Sequence, residues 1–227
     1  MPEIFRKRSI LLLTILVLAT TAAGRADDGC LTERGRVRMT NIVNVAVSGH
    51  LVTSLQRGNW NSRPTVRVGI VRLHEVVDIG AWNPRRYVAE IGLDASTAFV
   101  AADGGLFALD LSDPSSPVEL SYLDLIDAQH LTLDQSHAYL TATGVGGDGW
   151  FDVVDISEPT ATERVGGIYW PQPDAEKHAI DASGDIAVIA DADGLLVLDV
   201  SNASSPEAKG RLAHPEARDV ALVGDHA

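Results

Sequence analysis

The chain has 227 residues, of which 45% are hydrophobic, 22% charged and 5% aromatic, a composition typical of a folded globular protein. Its 18 basic and 31 acidic residues give a formal net charge of −13. This charge argues against nucleic-acid binding, because neutralising phosphates needs clustered Lys and Arg. The single cysteine, Cys30, excludes an internal disulfide.

The first 26 residues have the pattern of a secretory signal peptide. A basic start (Arg6, Lys7 and Arg8) precedes an apolar run over residues 10–19, and small residues lead up to Ala26. The apolar run is shorter than the roughly 20 residues that a membrane-spanning helix needs. We therefore expect residues 1–26 to be removed and the mature protein to be secreted, periplasmic or on the cell surface. No integral membrane segment is expected after cleavage.

An internal repeat organises the rest of the chain. Three segments share an apolar strand, an Asp-x-Ser step and a proline-containing turn: residues 105–117, 149–159 and 194–206. The Asp of this step recurs as Asp110, Asp155 and Asp199, at intervals of 45 and 44 residues. Pairs of short apolar segments recur in the same register, at residues 91–100, 131–140 and 180–189, and begin again at 220–222. Repeats of this length at constant spacing indicate one structural unit that stacks on copies of itself.

Each repeat is interpreted as four β-strands, which in the best-formed copy are residues 130–133, 137–142, 150–157 and 163–169. An Asp-Gly pair predicts a tight hairpin between the second and third strands, and prolines predict a turn between the third and fourth. Residues 195–198 are apolar on both faces, so that strand must be covered on both sides. The predicted fold is an all-β propeller with four-stranded antiparallel blades of about 45 residues.

The string Leu-Leu-Val-Leu-Asp-Val-Ser at residues 195–201, followed by Ser-Pro, resembles the LVIVD repeat family, as do residues 106–117 and 151–159. The resemblance implies a β-propeller of bacterial or archaeal exported or cell-surface proteins, with no assigned chemistry for the repeat. It covers residues 86–227 well. Residues 42–85 are interpreted as a diverged first blade, in which His74 stands where the recurring Asp is expected and residues 56–64 form an inserted loop.

The end of the chain begins a further repeat at Val220. Residues 27–227 therefore contain about four and a half blades, whereas closed propellers commonly have four to eight. A chain that stops inside a strand would leave an apolar edge without a partner. We expect this sequence to be the N-terminal part of a longer protein whose last repeat is truncated here.

Several motifs that suggest a ligand have a simpler structural interpretation. The recurring Asp110, Asp155 and Asp199 suggest a calcium array, but Asp also accepts hydrogen bonds from turn amides, and we favour the turn. Residues 191–194 begin like a calcium loop, yet Asn202 stands where the required Glu would be, so a hairpin is expected. The glycine-rich residues 144–149 lack a following helix or Lys and are interpreted as an extended hairpin loop.

One polar constellation is left as a candidate binding site. The residues just before each innermost strand occupy equivalent positions, and in a propeller these positions meet at one end of the central channel. The channel-mouth residues defined in this way are Glu90, His130, His178, Arg218 and Asp219. Variable polar side chains at a repeated position are typical of a ligand pocket, but also of any solvated channel mouth.

The sequence favours a binding or scaffold module at the cell envelope over an enzyme, because it contains no Gly-x-Ser-x-Gly elbow and no histidine metal motif. The expected partner is an unknown protein or glycan, not a nucleic acid, and no cofactor or catalytic residue is predicted. Two alternatives stay open: a propeller hydrolase or lyase with a metal in the channel, and a structural or adhesive repeat of a larger surface protein.

Overall fold

A computed structural model describes residues 42–56, 65–72, 75–144, 148–171, 177–214 and 217–222. The predicted signal peptide, Cys30, His74 and residues 57–64 of the predicted inserted loop lie outside these residues. Within the described part of the chain, no helix is long and apolar enough to span a membrane.

The described residues form sixteen β-strands in four sheets, which we call blades 1 to 4. Blade 1 consists of β1 (Ile42–Ser48), β2 (Leu51–Gln56), β3 (Thr65–Arg72) and β4 (Glu75–Trp82). Blade 2 consists of β5 (Val88–Asp94), β6 (Thr97–Ala102), β7 (Gly105–Asp110) and β8 (Val118–Asp124). Blade 3 consists of β9 (Ala128–Asp134), β10 (His137–Thr143), β11 (Gly149–Asp155) and β12 (Glu163–Trp170). Blade 4 consists of β13 (Lys177–Ser183), β14 (Ile186–Asp191), β15 (Gly194–Asp199) and β16 (Glu207–Ala213).

Every blade is an antiparallel meander whose strands lie in the order of the chain. The first strands (β1, β5, β9 and β13) contact one another in sequence, so they form the inner side of the assembly. The fourth strand of each blade lies at the opposite edge of its sheet. The prediction of an all-β fold with four-stranded antiparallel blades is confirmed.

The hydrophobic core is divided into three layers, each lying between two neighbouring blades. Strand β6 shows how one blade contributes to two layers, because successive side chains of a strand point to opposite faces of the sheet. Ala98 and Val100 belong to the core layer shared with blade 1, whereas Phe99 and Ala101 belong to the layer shared with blade 3. Blades 2 and 3 are therefore apolar on both faces, because each contributes side chains to two of the three layers.

The recurring Asp residues stabilise the turns that follow β7, β11 and β15. The Asp110, Asp155 and Asp199 carboxylates accept the backbone N–H of the Ser two residues later, at 2.7, 2.8 and 3.0 Å respectively. Hydrogen bonds to these Ser residues lower the pKa of all three carboxyl groups, since they favour the charged form. The interpretation as turn acceptors is confirmed.

The predicted Asp-Gly hairpins are confirmed in blades 2 and 4. Gly104 and Gly194 adopt φ angles of +82° and +134°, which a residue with a side chain rarely adopts. The turn between the first two strands also needs a left-handed residue, but blades 2 and 3 place Ala95 and Gln135 there, at φ +48° and +53°.

The turn between the third and fourth strands rests on the outer strand of the preceding blade. The Pro114 carbonyl lies so close to Gly80, and the Ala203 carbonyl so close to Gly166, that a Cβ at either glycine would overlap the carbonyl oxygen. At the equivalent position of β8, the Ser121 hydroxyl instead donates a 2.7 Å hydrogen bond to the Pro159 carbonyl. We call this contact the turn-on-strand contact.

Blade 1 departs from the repeat at the end of β3. Only two residues separate β3 from β4, so the long turn of the other blades is replaced by a short connection. Ile70 pairs with Leu51 as Asp110 pairs with Thr97, which makes Ile70 the counterpart of the recurring Asp. The prediction that His74 aligns with the recurring Asp is wrong. The counterpart of that Asp is Ile70, and β3 continues for two residues beyond Ile70, to Arg72.

Candidate functional site

The structure brings together two of the channel-mouth residues predicted from the sequence. Glu90 on β5 and His130 on β9 occupy equivalent positions of neighbouring inner strands, and His130 Nδ1 lies 3.6 Å from Glu90 Oε2. Each side chain is 26% exposed. Asn44 occupies the same position on β1 and donates a 3.1 Å hydrogen bond from Nδ2 to Glu90 Oε1. Sequence reasoning missed Asn44, although its offset from Val45 matches that of Glu90 from Ile91.

The remaining channel-mouth residues are not joined to this pair. The side chain of His178 lies outside those that the structure describes, and the pairing register makes Ala179 the counterpart of Glu90. Arg218 and Asp219 are exposed residues of the segment 217–222, which contacts β13 through the bond from the Leu222 N–H to Asp181. The Asp219 carboxylate accepts the Val220 N–H at 2.9 Å.

Carboxylates near the channel also hold the blades together. The inner edge of a first strand has no partner strand in its own sheet, so its N–H groups need other acceptors. Blades 2, 3 and 4 each use one acidic side chain to accept a backbone N–H of the next segment along the chain, on β9, in the turn after β13 and in residues 217–222. These inter-blade latches are Glu90 Oε2 with the Leu131 N–H (2.8 Å), Asp134 Oδ2 with the Gly184 N–H (2.8 Å), and Asp181 Oδ2 with the Leu222 N–H (2.7 Å). Glu90 therefore has a structural role in addition to its place at the channel mouth.

The acidic residues 191–194 form a hairpin, as predicted. Asp191 is 3% exposed, and its Oδ1 accepts the backbone N–H groups of Asp193 and Gly194 at 3.0 and 3.1 Å. Arg211 Nη1 donates to the same oxygen at 2.5 Å. Across the described residues, no group of three or more His, Cys, Asp or Glu side chains is arranged to hold a metal ion.

A second candidate site lies between blades 2 and 3, where sequence reasoning predicted nothing. It is a pocket of about 510 Å³ lined by Asp124, Leu125, Ile126, Trp150, Asp152 and Arg164. We call it the blade-3 pocket. Asp152 is 5% exposed, and Arg164 Nε donates a 2.6 Å hydrogen bond to its Oδ1. Burial raises the pKa of Asp152, and the Arg164 guanidinium opposes this shift.

The pocket exists because blade 3 departs from the repeat at one cross-strand pair. In blade 2 this pair is Phe107 and Tyr122, whose ring centroids lie 4.6 Å apart, and Trp82 packs edge-on against Phe107 at 5.1 Å. In blade 3 the same register position holds Asp152 and Gly167. The Arg164 guanidinium takes the space beside Gly167 that a side chain would fill, and the pocket lies against the Asp152–Arg164 pair.

An aromatic pair forms the outer part of this region. The Trp150 and Tyr169 rings pack with their centroids 4.7 Å apart, and the Tyr169 hydroxyl donates to Asp148 Oδ2 at 3.0 Å. Trp150 lies at the start of β11 and Tyr169 at the end of β12, and β9 begins at the same end of blade 3. The blade-3 pocket and the channel mouth are therefore at the same end of the assembly.

Four-stranded antiparallel blades, stacked with their first strands in contact, make this protein a repeat β-propeller. The model of the LVIVD repeat matches residues 87–124, 143–166 and 177–213, which cover most of blades 2 and 4 and part of blade 3. The chain contains LVIVD repeats in a β-propeller, and the resemblance noted in the sequence is confirmed. No curated protein matches it in sequence.

Two computationally designed proteins of known crystal structure are similar in fold. The designed Ika8 protein is 15% identical with a TM-score of 0.60, over 82% of this chain and 54% of Ika8. The designed Ika4 protein is 16% identical with a TM-score of 0.55, over 73% of this chain and 94% of Ika4. The chain thus spans about half the length of Ika8. At these identities the likeness concerns the fold alone.

Proposed function

We propose that this protein is a non-enzymatic binding or scaffold propeller of the cell envelope, which recognises a protein or glycan partner at its channel mouth. The observation that carries the proposal is the variation at one repeated position. The first strands of blades 1 to 4 present Asn44, Glu90, His130 and Ala179 there, and Asp219 has the corresponding place in the sequence before Val220. The residues shared by the blades form the fold, so selectivity for a partner has to reside where the blades differ.

The chemistry of Glu90 and His130 is suited to recognition. Both side chains are partly exposed, and together they offer a carboxylate acceptor beside an imidazole that can donate or accept. The bonds from Asn44 and from the Leu131 N–H hold the carboxylate in place. A fixed polar pair loses little conformational entropy when a partner binds, which favours affinity.

A pair of double variants tests this function. His130 and His178 are replaced together by Ala, and the matched control replaces His50 and His137, which lie at the other end of the inner strands. We expect the first variant to lose partner capture from an envelope extract and the control to retain it. Both should keep a free energy of unfolding within about 1 kcal/mol of the parent, as is usual for surface changes. Unchanged capture by the first variant, or a collapse of its stability, would contradict the proposal.

Export is part of the same proposal and has a separate test. The basic start, short apolar run and small residues before position 27 support cleavage after Ala26. N-terminal sequencing of the protein from the cell exterior or periplasm should find Asp27 first. Recovery from the cytosol with Met1 retained would contradict it.

A further inference from the structure

We propose that the blade-3 pocket is a saccharide-binding site, in which a neutral sugar ring packs on Trp150 and its hydroxyl groups bind to Asp152 and Arg164. None of the channel-mouth residues lines this pocket. The inference therefore goes beyond the proposed function, and either can fail without the other.

The fold does not need a carboxylate at position 152. The counterparts of Asp152 in blades 2 and 4 are Phe107 and Leu196, both buried among apolar side chains. Asp152 is buried whereas the Arg164 side chain is 46% exposed, so folding desolvates mainly the carboxylate, a cost that an apolar residue of similar volume avoids. Asp152 thus replaces a residue that packs well with one that costs free energy, which is typical of a functional site.

The hydrogen-bonding groups of the pocket match hydroxyl groups. A carboxylate only accepts hydrogen bonds and a guanidinium only donates them, whereas a hydroxyl does both. Asp152 and Arg164, held side by side by their 2.6 Å bond, offer an acceptor next to a donor. Neighbouring hydroxyls of a sugar ring can use both at once. The C–H face of the same ring is apolar and fits against the Trp150 indole and the Leu125 and Ile126 side chains.

The charge of the pocket favours a neutral ligand. An anion would be repelled by the carboxylates of Asp124 and Asp152, and the Arg164 guanidinium is already paired with Asp152. A cation would be repelled by that guanidinium, which also lines the pocket. The volume of about 510 Å³ lies within the usual range for small-molecule sites and accommodates more than one sugar ring.

The proposal is tested by binding of the labelled full chain to an array of glycans. The array contains neutral oligosaccharides, sialylated and sulfated oligosaccharides, and the cationic polysaccharide chitosan. We expect binding to neutral oligosaccharides. Their affinity should fall by about tenfold or more in Arg164→Lys, which loses the planar donor fork, and in Trp150→Ala, which loses the stacking surface. Asp152→Leu, which introduces the residue of blade 4, should abolish binding.

A matched control separates binding from stability. Arg211 pairs with the buried Asp191 in blade 4 as Arg164 pairs with Asp152 in blade 3. Arg211→Lys should therefore cost similar stability and leave saccharide affinity unchanged, while urea unfolding confirms that each variant is folded. The proposal is overturned if the folded parent binds no glycan, or binds only charged ones. It is equally overturned if Arg164→Lys and Trp150→Ala bind like the parent, or no worse than Arg211→Lys.

Discussion

The turn-on-strand contact predicts opposite effects for one substitution at two equivalent glycines. In Gly166→Ala the new Cβ would overlap the Ala203 carbonyl oxygen and lie 3.0 Å from the carbonyl carbons of Ala203 and Ser204. These atoms belong to the backbone, so relief requires moving a turn that the bond from the Ser205 N–H to the Asn202 carbonyl (2.9 Å) holds together. At Gly210, the counterpart on β16, nothing described lies within 4 Å of an added Cβ.

The magnitude follows from comparing the two variants. Replacing Gly by Ala at a compatible position stabilises a protein by about 0.4–1 kcal/mol, because the unfolded chain loses entropy. This gain is common to both variants and cancels between them. What remains is the overpacking at Gly166, which costs about 1–3 kcal/mol. We expect Gly210→Ala to be more stable than the parent and Gly166→Ala to be less stable than Gly210→Ala by that amount.

Urea unfolding of the parent and both variants measures this difference. The slope of the unfolding free energy against urea should be the same for all three, since the surface exposed on unfolding hardly changes. The midpoints should be ordered Gly210→Ala, parent, Gly166→Ala, from high to low. Equal midpoints for the two variants would refute the reasoning, because the turn would then be free to move away from β12.

Three further predictions concern turns and pH. Hydrogen bonds from Ser201 and Lys209 lower the pKa of Asp199 to about 2. The stability that the ionised carboxylate contributes above pH 4 should therefore be lost as the pH falls towards 2. Over that range the urea midpoint of Asp199→Asn should fall less than the urea midpoint of the parent. Ala95→Gly removes a side chain from a left-handed turn position and should stabilise the protein by about 1 kcal/mol or less. The gain would be measured as a higher melting temperature. An unchanged melting temperature would show that the turn is unstrained. Ser121→Ala removes the 2.7 Å bond to the facing turn and should cost about 1 kcal/mol in urea unfolding, with an unchanged midpoint counting against that contact.

The blades could be predicted from the sequence because the information that forms them is local. The spacing of the recurring Asp and the turn residues places strand ends within a few residues: the second strand of blade 3, predicted at 137–142, is β10 at His137–Thr143. The uninterrupted apolar run at 195–198 predicts that this strand is covered on both faces. Leu196 and Leu198 pack in the layer shared with blade 3, whereas Leu195 and Val197 on the other face are only half-buried, so the covering of that face stays a prediction.

The sites depend on pairing that the sequence does not contain. Pairing makes Ala179 the counterpart of Glu90 and puts His178 at the register shift that all four first strands share, so the predicted ring of polar residues is one position out in blade 4. For the blade-3 pocket, the sequence shows a lone Asp152 in an apolar strand. That Gly167 lies opposite Asp152, and so leaves room for the Arg164 guanidinium, follows only from the register of β11 against β12.

The inter-blade latches have a consequence for how the protein unfolds. Each one joins a blade only to the next segment along the chain, and each core layer likewise involves only two adjacent blades. Over the four described blades, stability is then a sum of blade terms and nearest-neighbour interface terms. A lesion at the interface of blades 2 and 3 would leave the interfaces on either side intact. The amides of blades 1 and 2 would then exchange independently of the amides of blades 3 and 4. The exchange rates would not rise evenly throughout the chain.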